Sequence, residues 1–432
     1  MHKLKFPFLT AVLALACALP SAAQKAGRDK ADAPRASATA LADSQWEFLK
    51  TAGQDKEKDV LELVLPQLED WLARNPEDHN SAEAQLLKAD LHYKLGDYKF
   101  ALVDLLQFFQ AYPQDLLLTD AQKLFTEIIV KKGDKKTRPL LEEAATAPET
   151  AAADLNISSM LEKFSARAGE AYYEPLTAEF RAFFNRFPAY SGNDSLRLAL
   201  ADLHREKGKY LAAELGYEEM IQMYPSSPLL ARAKSTLAGV LADNLKSYDK
   251  AIDVYGGIAA SFPGTDEALA AYNRLPALAE RQKKFDLAVQ TYEKIIELYP
   301  DRSEAYNSYK EEARVLRKEL KNFPEAVSVL NRLADKYKGD SGKSVEALLL
   351  AAEIYRKDIK DTEGEVKMYD RIAAEYENDP QAPRSLYAAG EIYEKAKDKD
   401  KAGEYYRKIT EKYGADPLAK KARNRLEALA KP

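Results

Sequence analysis

Residues 209–226, KYLAAELGYEEMIQMYPS, are echoed by residues 247–264, SYDKAIDVYGGIAASFPG, and by residues 284–301, KFDLAVQTYEKIIELYPD. Aligned on the closing aromatic-proline pair, the three share one frame: Tyr210, Ala213, Tyr217 and Tyr224; Tyr248, Ala251, Tyr255 and Phe262; Phe285, Ala288, Tyr292 and Tyr299. At about 3.6 residues per turn, offsets of 0, 3, 7 and 14 fall on one face of a helix. Each stretch therefore reads as an amphipathic helix of about four turns, roughly 22 Å long. The small alanine between large rings marks where a neighbouring helix comes close, and the proline stops the helix.

The frame extends in both directions. Its closing aromatics are Tyr112, Phe187, Tyr224, Phe262, Tyr299, Tyr337, Tyr376 and Tyr413, separated by 75, 37, 38, 37, 38, 39 and 37 residues, the first step being two units. Tyr98, Ala101 and Leu105 precede Tyr112 in register, as Phe323, Ala326 and Leu330 precede Tyr337; Thr362, Glu365 and Lys399 break the frame in the last two units. Ahead of each such helix lies a second apolar-periodic stretch, such as 198–203, 237–245 and 348–355. Short polar turns join the two, Gly96-Asp97, Gly208-Lys209 and Lys246-Ser247 among them. Ser227-Pro228 and Asp416-Pro417 each place a capping residue before a proline suited to a first helical turn. The unit is a helical hairpin, and the spacing predicts an all-α stack of about ten, closed by a helix over 416–432 whose Lys420, Lys421, Arg423 and Arg425 face solvent.

Composition agrees with a packed, mixed-charge chain. Of 432 residues, 46% are apolar and 31% charged, with 64 Lys and Arg against 69 Asp and Glu, a net charge of −5. That balance argues against nucleic acid or anionic lipid as a partner. The charge is uneven: residues 43–130 hold 17 acidic and 8 basic side chains, which favours a basic protein or peptide partner. Residues 131–138, KKGDKKTR, then open a segment to 159 in which Pro139 and Pro148 replace the aromatic frame, expected as a divergent hairpin or a hinge between 44–130 and 160–415.

The N-terminus reads as an export signal. Lys3 and Lys5 precede an apolar run to Leu19, then Pro20 and the small residues Ser21 and Ala23, so cleavage is expected after Ala23, with 24–43 as a flexible leader. The alternative is acylation at Cys17, since Ala14-Leu15-Ala16-Cys17 is similar to a bacterial lipoprotein box. Either way the mature chain is expected in the periplasm or outside, outer-membrane-associated if lipidated. No later stretch approaches the roughly 18 apolar residues of a spanning helix.

Catalytic signals are weak. Gly339-Asp340-Ser341-Gly342-Lys343-Ser344 resembles the end of a phosphate loop, but Tyr337 stands where the first glycine belongs and a helix precedes it, so a capped loop is expected. His79, His92 and His204 are not spaced as ligands on one helix turn, and the one cysteine lies in the signal, so neither metal nor cofactor is expected. The acidic neighbours Glu142-Glu143, Glu218-Glu219 and Glu311-Glu312 point about 100° apart and suit solvated faces better than a two-carboxylate hydrolase. Most of the 25 tyrosines are absorbed by the hairpin frame.

These residues resemble the tetratricopeptide repeat family, a helix, turn, helix unit with a Gly-x-Tyr, Ala, Phe, Pro skeleton. Gly96, Tyr98, Ala101, Leu105 and Pro113 match it, as do Gly208, Tyr210, Ala213, Tyr217 and Pro225, while Gly239 and Gly390 fall at its helix-contact glycine. The unit of about 37 residues, longer than the family's 34, is similar to the envelope branch that includes the outer-membrane assembly lipoprotein and the Tol-Pal-associated division coordinator. The resemblance implies a right-handed superhelical solenoid and a non-catalytic scaffold that binds proteins or peptides along its concave side. Its groove positions carry over to Asp90 and Tyr93, Asp202 and Arg205, Asp243 and Asn244, and Glu391 and Glu394. Two other classes remain open: a carbohydrate-active enzyme on a closed ring of hairpins, and a self-assembling structural protein.

Overall fold

A computed structural model describes residues 38–430 apart from 149 and 151. The signal 1–23, Cys17 and the leader as far as residue 37 lie outside the described residues. Among those described there are 21 α-helices and no strand. The chain begins with α1 (Ala38–Ala52), α2 (Lys58–Arg74), α3 (Ser81–Leu95) and α4 (Tyr98–Ala111). Next come α5 (Leu118–Lys132), the short α6 (Arg138–Ala144), α7 (Ala153–Ala168) and α8 (Tyr173–Arg186). Regular hairpins follow: α9 (Asn193–Glu206) with α10 (Tyr210–Met223), α11 (Leu230–Gly239) with α12 (Tyr248–Ser261), and α13 (Asp266–Arg281) with α14 (Phe285–Leu298). The stack continues through α15 (Ser303–Lys318) with α16 (Phe323–Lys336), α17 (Ser341–Ile354) with α18 (Thr362–Glu375), and α19 (Gln381–Lys395) with α20 (Lys399–Lys412). Helix α21 (Pro417–Leu429) packs on α20 and α19.

The aromatic frame sets the second helix of each hairpin. Helices α4, α8, α10, α12, α14, α16, α18 and α20 are each 14 residues long. Each ends one residue before its frame aromatic, whose own N–H still reaches the carbonyl four residues back while its φ/ψ leaves the helix, as at Tyr224 (φ −126°, ψ 60°). Tyr376 does the same without a following proline (φ −131°, ψ 50°), so packing of the ring suffices where proline is missing. The frame alanines Ala101, Ala213, Ala251, Ala288, Ala326 and Ala402 are all fully buried. In α18 the position holds Glu365, itself buried, beside Gly364, where a Cβ would come within 2.4 Å of the Tyr355 ring.

The turns ahead of α4, α10, α12, α14, α16, α18 and α20 repeat one backbone feature. Two residues before the second helix, the chain passes through the left-handed region at Gly96, Gly208, Lys246, Lys283, Lys321, Lys360 and Lys397. Only the first two use glycine, the residue that adopts it without strain.

The first third departs from a simple stack. Helix α4 is buried all round from Ala101 to Gln110, because α3, α5, α6, α7 and α8 all pack on it. Its polar side chains are matched inside: Asp104 accepts from Lys88 Nζ at 2.8 Å and lies 2.6 Å from His92 Nδ1. Gln110 donates to the Ala144 and Thr146 carbonyls at 3.0 and 3.2 Å, and Asn156 donates to the Gln110 carbonyl at 3.2 Å. The segment 131–159, read as a divergent hairpin or hinge, is thus packed against α4 through α6 and α7.

Three expectations need correction. The leader was expected to run to Asp43, but α1 starts at Ala38 and is held there by Trp71, whose Nε1 donates to the Ala42 carbonyl at 3.1 Å. Ser227 caps no helix; its Oγ accepts from the Leu229 N–H in a turn ahead of α11, whereas Asp416 does cap α21. Gly239 meets nothing within 4 Å, whereas at Gly390 a Cβ would lie 2.6 Å from the Tyr406 ring, a true close approach. The 339–344 loop is a helix start, with Asp340 capping Lys343 N–H and Ser344 Oγ donating to the Ala334 and Tyr337 carbonyls.

The alanine register is open to direct test. Ala251→Phe and Ala288→Phe should each overpack a buried contact and cost about 1–3 kcal/mol, seen as a lower denaturation midpoint. Unchanged midpoints at both positions would refute the register.

Candidate functional site

The first helices of consecutive hairpins form one side of the stack, the side that repeats of this type make the inner one. They approach one another directly, α3 on α5, α11 on α13 and α19 on α21. A series of ion pairs runs along this side. Arg232 on α11 reaches Asp202 on α9 at 3.0 Å. Arg274 on α13 bridges both oxygens of Asp243 at 2.7 Å, and Arg314 on α15 holds Glu280 on α13 at 2.7 and 2.8 Å. Arg317 then turns forward to Glu353 and Asp358 at 3.1 and 2.6 Å, and Arg425 on α21 meets Glu394 on α19 at 3.3 Å.

A tyrosine from the second helix completes most of these rungs. It is the frame residue seven positions into that helix, where the ring packs inward and the hydroxyl emerges between first helices. Tyr217 donates to Asp202 at 2.6 Å and Tyr406 to Glu394 at 2.7 Å. The hydroxyl of Tyr255 lies beside Arg274 and that of Tyr292 beside Arg314. Burial, with Glu280 and Glu311 nearby, pushes the Tyr292 hydroxyl up to about 12. Burial and the Asp202 and Glu394 carboxylates push Tyr217 and Tyr406 up as well.

The predicted groove residues are thus spread along one side, and several are already engaged. Asp202, Asp243 and Glu394 are rung acceptors, and Arg205 lies 3.5 Å from Asp202 and 3.3 Å from the Tyr217 hydroxyl. Asn244 is exposed on the π-helical turn Val240–Asn244, and Glu391 is half-buried on α19. Asp90 and Tyr93 differ in setting. Asp90 pairs with Lys94 at 2.8 Å, Tyr93 donates to Glu127 on α5 at 2.7 Å, and Asp90 lines a groove of about 340 Å³ between α1, α3 and α5. Leu86, Leu87, Leu117 and Leu124 give that groove an apolar floor, with Glu83 and Asp120 at its edge.

Sequence reading missed the arginines and the tyrosine hydroxyls of the rungs. The signal was present as an acid twelve residues before the frame tyrosine, Asp243 before Tyr255, Glu280 before Tyr292 and Glu394 before Tyr406. It named His79 without the group that its ring forms with the Asp43 and Asp78 carboxylates, which lie within 4.8 Å of one another, the one group with ligand geometry among the described residues. His79 is exposed there, and Asp78 already accepts the Asn80 N–H.

Known proteins bear on this arrangement. Residues 366–417 match one tetratricopeptide repeat model, and residues 277–302 and 346–379 match another. A tetratricopeptide repeat protein from Parabacteroides merdae ATCC 43184 is similar in crystal structure at 17% identity and TM-score 0.32, over 64% of this chain and 99% of that one. The apo form of RapI is similar at 12% identity and TM-score 0.34, over 86% of this chain and 97% of that one. No curated protein matches the chain.

Two measurements test the inner side. Arg314→Ala, which strips the cation from a partly buried Glu280, should cost about 1 kcal/mol in chemical denaturation, and the more exposed Arg274→Ala a few tenths. Equal, negligible losses would make the rungs decoration. Glu312 on α15 is 1% exposed and has one oxygen without a partner, and burial pushes its carboxyl up to about 7. Its proton is therefore held more tightly in the folded chain, and the stability it contributes is lost as pH rises through about 7. The melting temperature should fall between about pH 4.5 and 7, less steeply in Glu312→Gln; parallel profiles would reject the assignment.

Proposed function

From a chain whose residues 277–302 and 346–417 match tetratricopeptide repeat models, we propose a non-catalytic scaffold that is exported to the cell envelope and holds a basic segment of a partner protein along its inner side. Proteins of this repeat type are interaction scaffolds, and the local choice of docking site follows from which inner residues are already occupied. From α9 onward Asp202, Asp243, Glu280 and Glu394 are bonded to arginines of the following unit. The groove between α1, α3 and α5 combines an apolar floor with an edge of Glu83, Asp90 and Asp120 that Lys50 and Lys94 offset only in part, and that groove is the observation that carries the reading. It lies within the segment of greatest negative charge, which raises the encounter rate of a cationic partner. Export rests on the layout of the first 23 residues and on the resemblance to the envelope branch.

A photo-crosslinker placed at Leu124 in the full chain, expressed in its own cells, should capture a discrete partner that the same probe at Leu211, exposed on α10, does not. Asp90→Lys combined with Asp120→Lys should reduce the capture at least tenfold while the thermal midpoint stays unchanged. Capture that survives the double reversal would remove the groove from the proposal, and a mature protein retaining residues 1–23 in the cytoplasm would remove export.

A further inference from the structure

The rung between α11 and α13 borders a concavity of about 200 Å³, walled by Tyr248, Ala277 and Leu278, whose charged lining is Asp243, Lys246, Arg274 and Arg281. Arg274 is matched by Asp243, both of whose oxygens it bridges at 2.7 Å. The other two cations have no carboxylate among the described residues. Lys246 Nζ donates to the Asp243 backbone carbonyl at 2.6 Å, and Arg281 Nη1 donates to the Tyr248 hydroxyl at 3.1 Å with its guanidinium over that ring. Both acceptors are neutral, and each cation keeps further N–H groups to offer.

The neighbouring acids are committed elsewhere. Asp249 of α12 pairs with Lys284 at 2.9 Å, Glu280 beside Arg281 accepts from Arg314 of α15, and Asp202 of α9 is held by Arg232. The pocket therefore carries three positive charges against one negative, a surplus of two in a chain whose net charge is −5. Local backbone geometry brings the lysine there. The π-helical turn Val240–Asn244, closed by the Leu245 N–H on the Val240 carbonyl at 3.0 Å, is followed by Lys246 in the left-handed region at φ 56°, and its ammonium returns to the Asp243 carbonyl. Single π turns of this kind recur at functional sites.

We propose that this pocket binds the phosphate of a phosphate monoester, whether a free small molecule or a phosphorylated serine, with Lys246 and Arg281 donating to its oxygens. The volume is below that of sites that enclose a whole drug-sized ligand. A head group enters, and the rest of the ester stays outside against Tyr248 and Ala277. Charge selects the ligand: a phosphate monoester carries close to two negative charges at pH 7 and balances the surplus. A carboxylate supplies one, and the bidentate seat it would take on Arg274 is filled by Asp243. An ammonium would add to the surplus. The site goes beyond the scaffold reading and does not depend on the α1, α3 and α5 groove, so its failure would leave that reading standing.

The test is calorimetric titration of the full chain with glycerol 3-phosphate and with a heptapeptide whose one charged side chain is a central phosphoserine, both ends blocked. Methyl sulfate and acetate serve as monoanion controls. At least one phosphate probe should bind at one site, about tenfold more tightly at pH 7.5 than at pH 5, because the second phosphate proton leaves near pH 6. Binding of glycerol 3-phosphate identifies a small ester as sufficient; binding of the peptide alone identifies a protein side chain. Lys246→Gln and Arg281→Gln, both at exposed positions, should each lose at least fivefold in affinity with the melting temperature unchanged, while Lys136→Gln, an exposed cation outside the pocket, should bind like the parent. The proposal is overturned if neither phosphate probe binds at millimolar concentration, if methyl sulfate or acetate binds as tightly at pH 7.5, or if Lys136→Gln weakens binding as much as Arg281→Gln.

Discussion

The structure depends on one steric constraint: a fully buried alanine three residues into six of the eight second helices, flanked on the same face by large side chains. An alanine there lets the neighbouring backbone approach, while the side chains on either side fill the space that the approach leaves open. The closing aromatic ends the helix after fourteen residues, so each hairpin presents the same surface to the next. A stack built this way is stabilised by nearest-neighbour contacts repeated along the chain, and no single core has to organise all of it.

That constraint also explains what could be read in advance. The second helices were legible because ring, alanine and ring recur at offsets that only a helical face satisfies, and because their ends fall on residues of distinctive type. Where the marker is absent the chain compensates locally: Glu365 replaces the alanine beside Gly364, and Tyr376 and Tyr413 end their helices without proline. The hairpin turns were legible at Gly96, Gly208 and Lys246-Ser247, while the left-handed backbone at Lys246, Lys283, Lys321, Lys360 and Lys397 was hidden, since lysine gives no outward sign of it. The rungs were hidden for a different reason. An ion pair between successive first helices joins residues some 30 to 36 apart, and a charged residue on an exposed helical face looks the same whether it meets solvent or an arginine of the next unit.

The first third shows how a stack gains a core. Helix α4 carries Ala101 to Gln110 with scarcely a solvated position, and a helix apolar on every side must be enclosed. The departure of 131–159 from the aromatic frame supplies the enclosure: a short α6 and a displaced α7 fold back on α4, and α8 reaches across to α2. Enclosing α4 brings Asp104, Gln107 and Gln110 out of water, and each then requires a partner. Asp104 and Gln110 find theirs within the fold. Gln107 keeps one atom unmatched, next to a glutamate that has come from another hairpin.

The two halves of the chain therefore use their polar residues differently, and this difference orders the functional reading. Through the regular stack the inner acids are bonded to arginines and tyrosines of neighbouring hairpins, which fixes the curvature and removes those acids from competition for a ligand. A partner that needed Asp202, Asp243 or Glu394 would have to break a rung and leave an arginine without its acceptor. The α1, α3 and α5 groove imposes a smaller cost, since its apolar floor is half-buried and two of its edge acids, Glu83 and Asp90, pair with the partly exposed Lys50 and Lys94.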